Sequence, residues 1–181
     1  INQFLTLEGQ KFSKSRGVTI DPNYVVGVYG LDPVRFYLTL IAPENADANF
    51  SWSDFVAKNN NVLIGNLGNF INRTLTLAQN LSPQGPLAID AKIEEKIEIL
   101  IEEAKKSLEN FEFKNYVEKI LAFSDYGNKY LSVEEPWLLK KDDPVFRKVI
   151  ANSLFITLGL FLLLKPLLPE TFDRLSEILA V

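Results

Sequence analysis

The chain has 181 residues, enough for one large or two small packed units, and its 47% hydrophobic and 12% aromatic content supports a real core rather than global disorder. A net charge of −4 and a pI of about 5.0 exclude indiscriminate nucleic-acid binding, which needs excess Lys and Arg, but leave room for a local recognition patch. Cys and His are both absent, which removes the usual zinc sites, disulfides and every Cys or His nucleophile or general base, so no metal site is expected.

Met is absent too. Reading frames begin on Met, so the chain is expected to be a section of a longer one. Its opening residues, Ile1-Asn2-Gln3-Phe4-Leu5, carry no cap, signal or targeting pattern.

In chain order, Gln3 to Leu7 alternates weakly and predicts a short strand, followed by a mobile loop with Gly9 and Gly17. Asp21-Pro22 starts a brief helix that Gly30 stops, since Asp caps and Pro suits the first turn. Asp32-Pro33 repeats that start signal for a helix from Val34 to Ile41. Polar Glu44 to Ser51 is expected to be a loop. From Asp54 to Asn80 there is no proline, and Val56, Leu63, Ile64, Leu67, Phe70, Ile71 and Leu75 gather on one side at helical spacing, predicting one long helix. Ser82-Pro83-Gln84-Gly85-Pro86 is a linker signal.

Asp90 then caps a helix whose apolar stripe runs from Ile93 to Phe111, with Glu and Lys on the opposite face, as a solvated bundle helix requires. Another helix spans Phe113 to Leu131, and Glu134-Glu135-Pro136-Trp137 interrupts it. Asp143-Pro144 starts a helix to Leu164. Its Leu154–Leu164 stretch is very apolar but too short to span a membrane, so it is assigned to the core and no membrane partner is expected. Pro166 and Pro169 break the chain before a short amphipathic helix from Glu170 to Leu179. The fold class is therefore mostly α: an antiparallel helix bundle over 51–181, preceded by a small loop-rich module over 1–50.

Two regions carry chemistry. Glu8-Gly9-Gln10-Lys11-Phe12-Ser13-Lys14-Ser15-Arg16-Gly17 packs three cations, two hydroxyls and two glycines into ten residues. Such a loop suits a polyphosphate: ammonium groups offset charge building on phosphorus and on departing pyrophosphate, and glycines permit close approach. It is not a P-loop, and a Lys/Ser cluster taken alone is a solvated turn. The second region is the Asp54 helix, with Asn59, Asn60, Asn61, Asn66, Asn69 and Asn72. Asn is a mediocre helix former, and an ordinary wet face would use Glu and Lys. On a regular wheel Asn59, Asn66, Asn69 and Arg73 fall within roughly 80° of one another, and Asn69 and Arg73 are neighbours at i, i+4. Amides and a guanidinium fork can read base edges, although caps, turns or core amides account for Asn equally well. Trp137, at a break between helices, is either a stacking platform for an unpaired base or a plug for the bundle end.

The string Phe4-Leu-Thr-x-Glu-Gly-x-Lys11-Phe12-Ser13-Lys14-Ser15-Arg16-Gly17 resembles the second signature of class I aminoacyl-tRNA synthetases, Lys-Met-Ser-Lys-Ser. Phe12 in place of Met is similar to the archaeal and eukaryotic branch of the methionyl enzymes, and keeps an apolar anchor. Asn66-Leu-Gly-Asn69-Phe-Ile-Asn-Arg73 resembles that family's anticodon helix, and Asn128-Lys129-Tyr130 with Glu135-Pro136-Trp137 resembles its Asn-x-Tyr…Pro-Trp segment. Asp32-Pro33-Val34-Arg35 and Asp47 to Phe55 are similar to its connecting module, which touches the inner bend of tRNA. There Arg35 is expected as a structural ion-pair partner, with a phosphate contact as the alternative, and Trp52 as core.

The resemblance implies an ATP site using Lys11, Ser13, Lys14 and Ser15, with Lys14 catalytic. It further implies anticodon contacts from Asn69, Arg73 and Trp137, methionine tRNA with its CAU anticodon as partner, ATP and magnesium as substrates of the full-length parent, and a cytoplasmic location. The first signature, His-Ile-Gly-His, and the nucleotide-binding domain that carries it are not in the sequence, so these residues alone are expected to be inactive without the parent's N-terminal catalytic domain. The lysine–serine loop is shared with the synthetases for leucine, isoleucine, valine and cysteine, so the choice among them rests on Asn69, Arg73 and Pro136-Trp137. A non-catalytic helical interaction module is the rival of a different class.

Overall fold

The computed structural model describes residues 3–81 and 87–179. The predicted linker Ser82–Pro86 lies outside the described residues. Three short strands form a mixed sheet in the order β2-β1-β3: β1 (Leu5–Leu7) pairs antiparallel with β2 (Gln10–Lys11) and parallel with β3 (Ala48–Phe50). The helices are α1 (Pro22–Tyr29), α2 (Leu31–Leu40), α3 (Trp52–Lys58), α4 (Asn69–Ala78), α5 (Ala91–Glu109), α6 (Phe113–Glu134), α7 (Pro144–Leu164) and α8 (Pro169–Leu179).

The expected loop at 44–51 thus contains a strand. Its pairing is held by side chains rather than by an apolar alternation. Asp47 Oδ1 accepts from the Phe4 N–H at 2.8 Å, and Asn49 Oδ1 accepts from Gly9 N–H at 2.7 Å and from Thr6 Oγ1 at 2.9 Å. Glu8 Oε1 accepts from Trp52 N–H at 2.7 Å, which caps the start of α3. The polar residues of both family-like strings therefore hold each other. Beneath them Leu7, Tyr37, Phe50 and Phe55 form a small core, with Trp52 half-buried against Phe50 and Phe55.

The helix starts at Asp21, Asp90 and Asp143 form as expected: each carboxylate accepts the backbone N–H two residues on. The Lys92 N–H and then Lys148, 3.2 Å away, hold the Asp90 carboxyl below its ordinary range. Asp32 is different. It lies inside α2, which starts at Leu31 after Gly30 at φ 86°, and is buried. Its carboxylate accepts from Glu170 N–H at 3.2 Å and Thr171 N–H at 2.6 Å, so it caps α8 and not its own helix. Arg35, three residues later, donates to the Pro166 carbonyl at 2.6 Å and the Leu167 carbonyl at 3.3 Å. The ion pair expected for Arg35 is not what forms, because the orphan carbonyls after α7 are the nearer acceptors. One acid and one base on α2 thereby satisfy both sides of the α7–α8 corner.

The predicted Asp54–Asn80 helix is continuous but irregular. Between α3 and α4, Asn59–Gly68 is a π-helix, in which the Asn69 N–H reaches the carbonyl of Ile64. The wider turn shifts the phase of the apolar stripe. Leu67 and Phe70 are buried, whereas Val56 and Ile64, expected on the same face, are 47% and 62% exposed. Gly65 and Gly68 face their own turn: a β-carbon at Gly65 would sit 3.1 Å from the Asn60 carbonyl, five residues back.

The large core joins α4, α5, α6, α7 and α8 around Phe70, Ile97, Val117, Phe123, Leu160 and Leu164. α5 and α6 form an antiparallel hairpin through three residues. Phe111, expected to end the α5 stripe, sits in that turn at φ 60° and is 74% exposed. α7 is long and apolar enough to cross a membrane by length and composition, but 67% of its most apolar window is buried in the bundle, which is how a core helix behaves. Tyr116 on α6 donates to the Leu163 carbonyl of α7 from within that core.

Tyr37 donates to Asp54 Oδ2 at 2.9 Å, and burial pushes its phenol up from 10.0 to about 12. The folded chain keeps this proton to about pH 12, while an unfolded chain loses it near 10, so the stability it contributes is present below pH 10 and lost between 10 and 12. Urea unfolding across that interval should show a shallower loss of stability in Tyr37→Phe than in the native chain. An unchanged slope would remove Tyr37 from the alkaline transition.

Candidate nucleic-acid interface

The lysine–serine loop is a closed turn. The Ser13 and Val18 backbones exchange hydrogen bonds at 2.8 and 3.0 Å, Lys14–Arg16 forms one 3-10 turn, and Gly17 at φ 71° closes it. Glu8 and Gly9, at φ 49° and 74°, turn the chain from β1 into β2. Lys11, Lys14 and Arg16 are exposed, and none has a carboxylate partner among the described residues. Ser13 and Ser15 hydroxyls lie 3.2 Å apart. Phe12, expected as an apolar anchor, follows the edge strand β2 and is 43% exposed. Three unpaired cations and two adjacent hydroxyls fit the charge and donor requirements of a polyphosphate.

The second group of residues sits where the helix through α3 and α4 meets α6. The wheel that joined four side chains breaks at the π-turns. Asn59 is buried, donating to the Phe55 carbonyl at 2.9 Å while its Oδ1 finds no partner among the described residues. Asn66 is used entirely between helices. Its amide donates to Asp125 Oδ1 at 2.7 Å, and its Oδ1 accepts from Ser124 Oγ at 2.8 Å and Asn128 Nδ2 at 3.0 Å. Asn69 and Arg73 lie on regular α4, one turn apart. Asn69 is exposed and donates to Asn128 Oδ1 at 3.2 Å. The Arg73 guanidinium lies 5.0 Å from the centroid of the Trp137 ring.

Trp137 stands on a 3-10 turn, Pro136–Leu138, that follows Glu135 in the left-handed region at φ 42°. Pro136 is buried, while Trp137 is 48% exposed. Arg73 covers one indole face. The structure therefore brings Asn69, Arg73 and Trp137 into one ridge, and leaves Asn59 and Asn66 out of it.

The Asn-x-Tyr pair on α6 positions this ridge, a role that sequence reasoning did not assign. Asn128 also donates to the Asn66 backbone carbonyl at 3.1 Å. Tyr130 accepts from Asn152 Nδ2 at 2.8 Å, and Asn152 Oδ1 accepts the Asp90 N–H at 2.9 Å, which ties α6 and α7 to the start of α5. Burial raises the Tyr130 phenol. Two residues at i, i+2 on a helix diverge, so the pair can tie two different neighbours. Only that divergence, beside two amides on another helix, was available as a signal.

Close approach of α6 and α4 depends on Gly127. A β-carbon there would lie 2.5 Å from the Phe70 ring. Gly127→Ala should therefore cost about 1–3 kcal/mol in chemical denaturation. A variant as stable as the native chain would show that the helix pair yields without cost.

Comparison with known proteins adds three findings. A family described as tRNA synthetases class I (M) matches residues 1–75, and the anticodon-binding domain of tRNA ligase matches residues 90–178. The chain is 36% identical over 185 aligned positions to a methionine–tRNA ligase of Pyrococcus abyssi, and 34% identical to one of Bacillus cereus. The alignments cover 98% and 99% of this chain but only 26% and 34% of those proteins. Among solved structures, Mycobacterium tuberculosis methionyl-tRNA synthetase in complex with methionyl-adenylate superposes with a TM-score of 0.82 at 27% identity, over 94% of this chain and 36% of that one.

Proposed function

Because the chain belongs to the class I methionyl-tRNA synthetases, as a portion that carries the anticodon-binding domain, we propose that its ridge grips the CAU anticodon of methionine tRNA while its lysine–serine loop forms one wall of the parent's ATP site. The observation that carries the anticodon reading is the half-exposed Trp137 beside Arg73, on the same ridge as Asn69. An indole has two faces. Arg73 covers one, and the other can stack an unpaired base, an interaction of about 1–3 kcal/mol that any base can make. Selectivity then falls to Asn69 and Arg73, whose amide and guanidinium can pair with the base edge.

At the other site, Lys14, assisted by Lys11 and the Ser13 and Ser15 donors, stabilises the negative charge that accumulates on the triphosphate as the methionine carboxylate attacks and pyrophosphate departs. Magnesium supplied with ATP shares that charge. The nucleotide-binding domain of the same polypeptide supplies the facing wall, so residues 1–181 by themselves support no adenylate formation. Residues 1–50 join the signature loop to a module that meets the inner bend of tRNA, and residues 51–181 form the anticodon-binding bundle. The working compartment is the cytoplasm.

The two sites should separate in the full-length enzyme. Asn69→Ala, Arg73→Ala and Trp137→Ala are each expected to weaken tRNA charging by about tenfold or more while ATP–pyrophosphate exchange continues, and equal loss of both activities would contradict the assignment. Lys14→Ala is expected to slow exchange about a hundredfold, as loss of a group stabilising transition-state charge does, with tRNA affinity unchanged. Exchange at the native rate would take Lys14 out of the chemistry.

A further inference from the structure

Resting on the anticodon reading above, we propose that Asn128 is a positioning residue that fixes Asn69 as a hydrogen-bond acceptor, so that the ridge selects an amino-bearing base over a keto-bearing one. The argument is one of polarity. A carboxylate and a backbone carbonyl can only accept. The Asp125 carboxylate, 2.7 Å from Asn66 Nδ2, fixes the nitrogen end of the Asn66 amide on Asp125, so its oxygen faces Ser124 and Asn128, farther along the same helix face of α6. The Asn66 backbone carbonyl and Oδ1, at 3.1 and 3.0 Å, force the Asn128 nitrogen toward them. The Asn128 oxygen then faces Asn69 and accepts its NH2 at 3.2 Å. Rotating either Asn69 or Asn128 by half a turn would set oxygen against oxygen. Asn128 thus holds one of the two amide hydrogens of exposed Asn69 and fixes the orientation of the group, and the Asn69 Oδ1 has no partner among the described residues.

The ridge therefore offers an acceptor at Asn69 and, one helical turn on, the donors of Arg73. On a base's pairing edge, cytosine and adenine place an amino donor beside a ring-nitrogen acceptor, which complements that order. Uracil and guanine place a carbonyl beside a ring N–H, which opposes it. An Asn free to rotate would accommodate both classes. Asn128 removes that freedom.

The test uses the full-length synthetase and fluorescence anisotropy with labelled anticodon stem–loops carrying CAU or UAU. The native enzyme should prefer cytosine. Asn128→Ala should reduce the cytosine-over-uracil affinity ratio about tenfold. Adding Asn69→Asp to Asn128→Ala should restore the ratio, because a carboxylate presents an acceptor in either rotamer, even if added negative charge lowers affinity for both RNAs. A ratio untouched by Asn128→Ala overturns the proposal. So does a fall that Asn69→Asp leaves in place, which would make Asn128 only a brace between helices. If the native enzyme binds both stem–loops alike and Asn69→Ala alters neither, the anticodon reading itself fails.

Discussion

The ridge depends on two helices lying closer than side chains ordinarily permit. Gly127 is where α6 surrenders its β-carbon, and the Phe70 ring fills the space. At that separation the next residue, Asn128, reaches the backbone carbonyl of Asn66 as well as its side chain. Buried or half-buried amides are expensive unless every donor and acceptor is matched, and here the Asn66, Asn128, Ser124 and Asp125 groups match one another. The result is a rigid joint. It holds α4 against α6 and thereby sets the distance between Arg73 and a tryptophan carried nine residues beyond Asn128, past the end of α6.

The π-helix serves the same geometry. A regular helix over 52–78 would have kept one apolar stripe and placed Asn59, Asn66 and Asn69 together. The wider turns of 59–68 rotate Asn59 into the interior and Asn66 onto α6, and leave Asn69 at the first regular turn with its oxygen free. The cost is visible in the unsatisfied Asn59 Oδ1. π-turns are rare and concentrate where function needs a side chain re-aimed.

A second joint ties the small sheet module to the end of the bundle. Asp32 and Arg35 lie one turn apart on α2 and satisfy, respectively, the free N–H groups starting α8 and the free carbonyls ending α7. Each helix terminus complements the charge placed on it. The residues of the module therefore cannot shift without uncapping the bundle's last corner. Together the two joints link the lysine–serine loop, through β1, β3 and α2, to the helices that carry the ridge.

Most helix starts were legible in the sequence, because an Asp cap followed by Pro, or by an apolar stripe with a charged opposite face, is local physics. The same holds for the mostly helical class, the burial of α7 and the cation–hydroxyl composition of the loop. Asp32 shows the limit: its cap signal is real, but the helix it caps lies 138 residues away. β3 was missed because its partners are polar side chains on another strand, and the phase of 59–68 was missed because a π-turn leaves no periodicity of its own. What the chain alone determined was which side chains were available: two amides, a guanidinium and an indole. Tertiary structure decided which of them meet, because the close approach at Gly127 and the acceptor-only groups of Asp125 and the Asn66 carbonyl exist only once α4 and α6 are packed together.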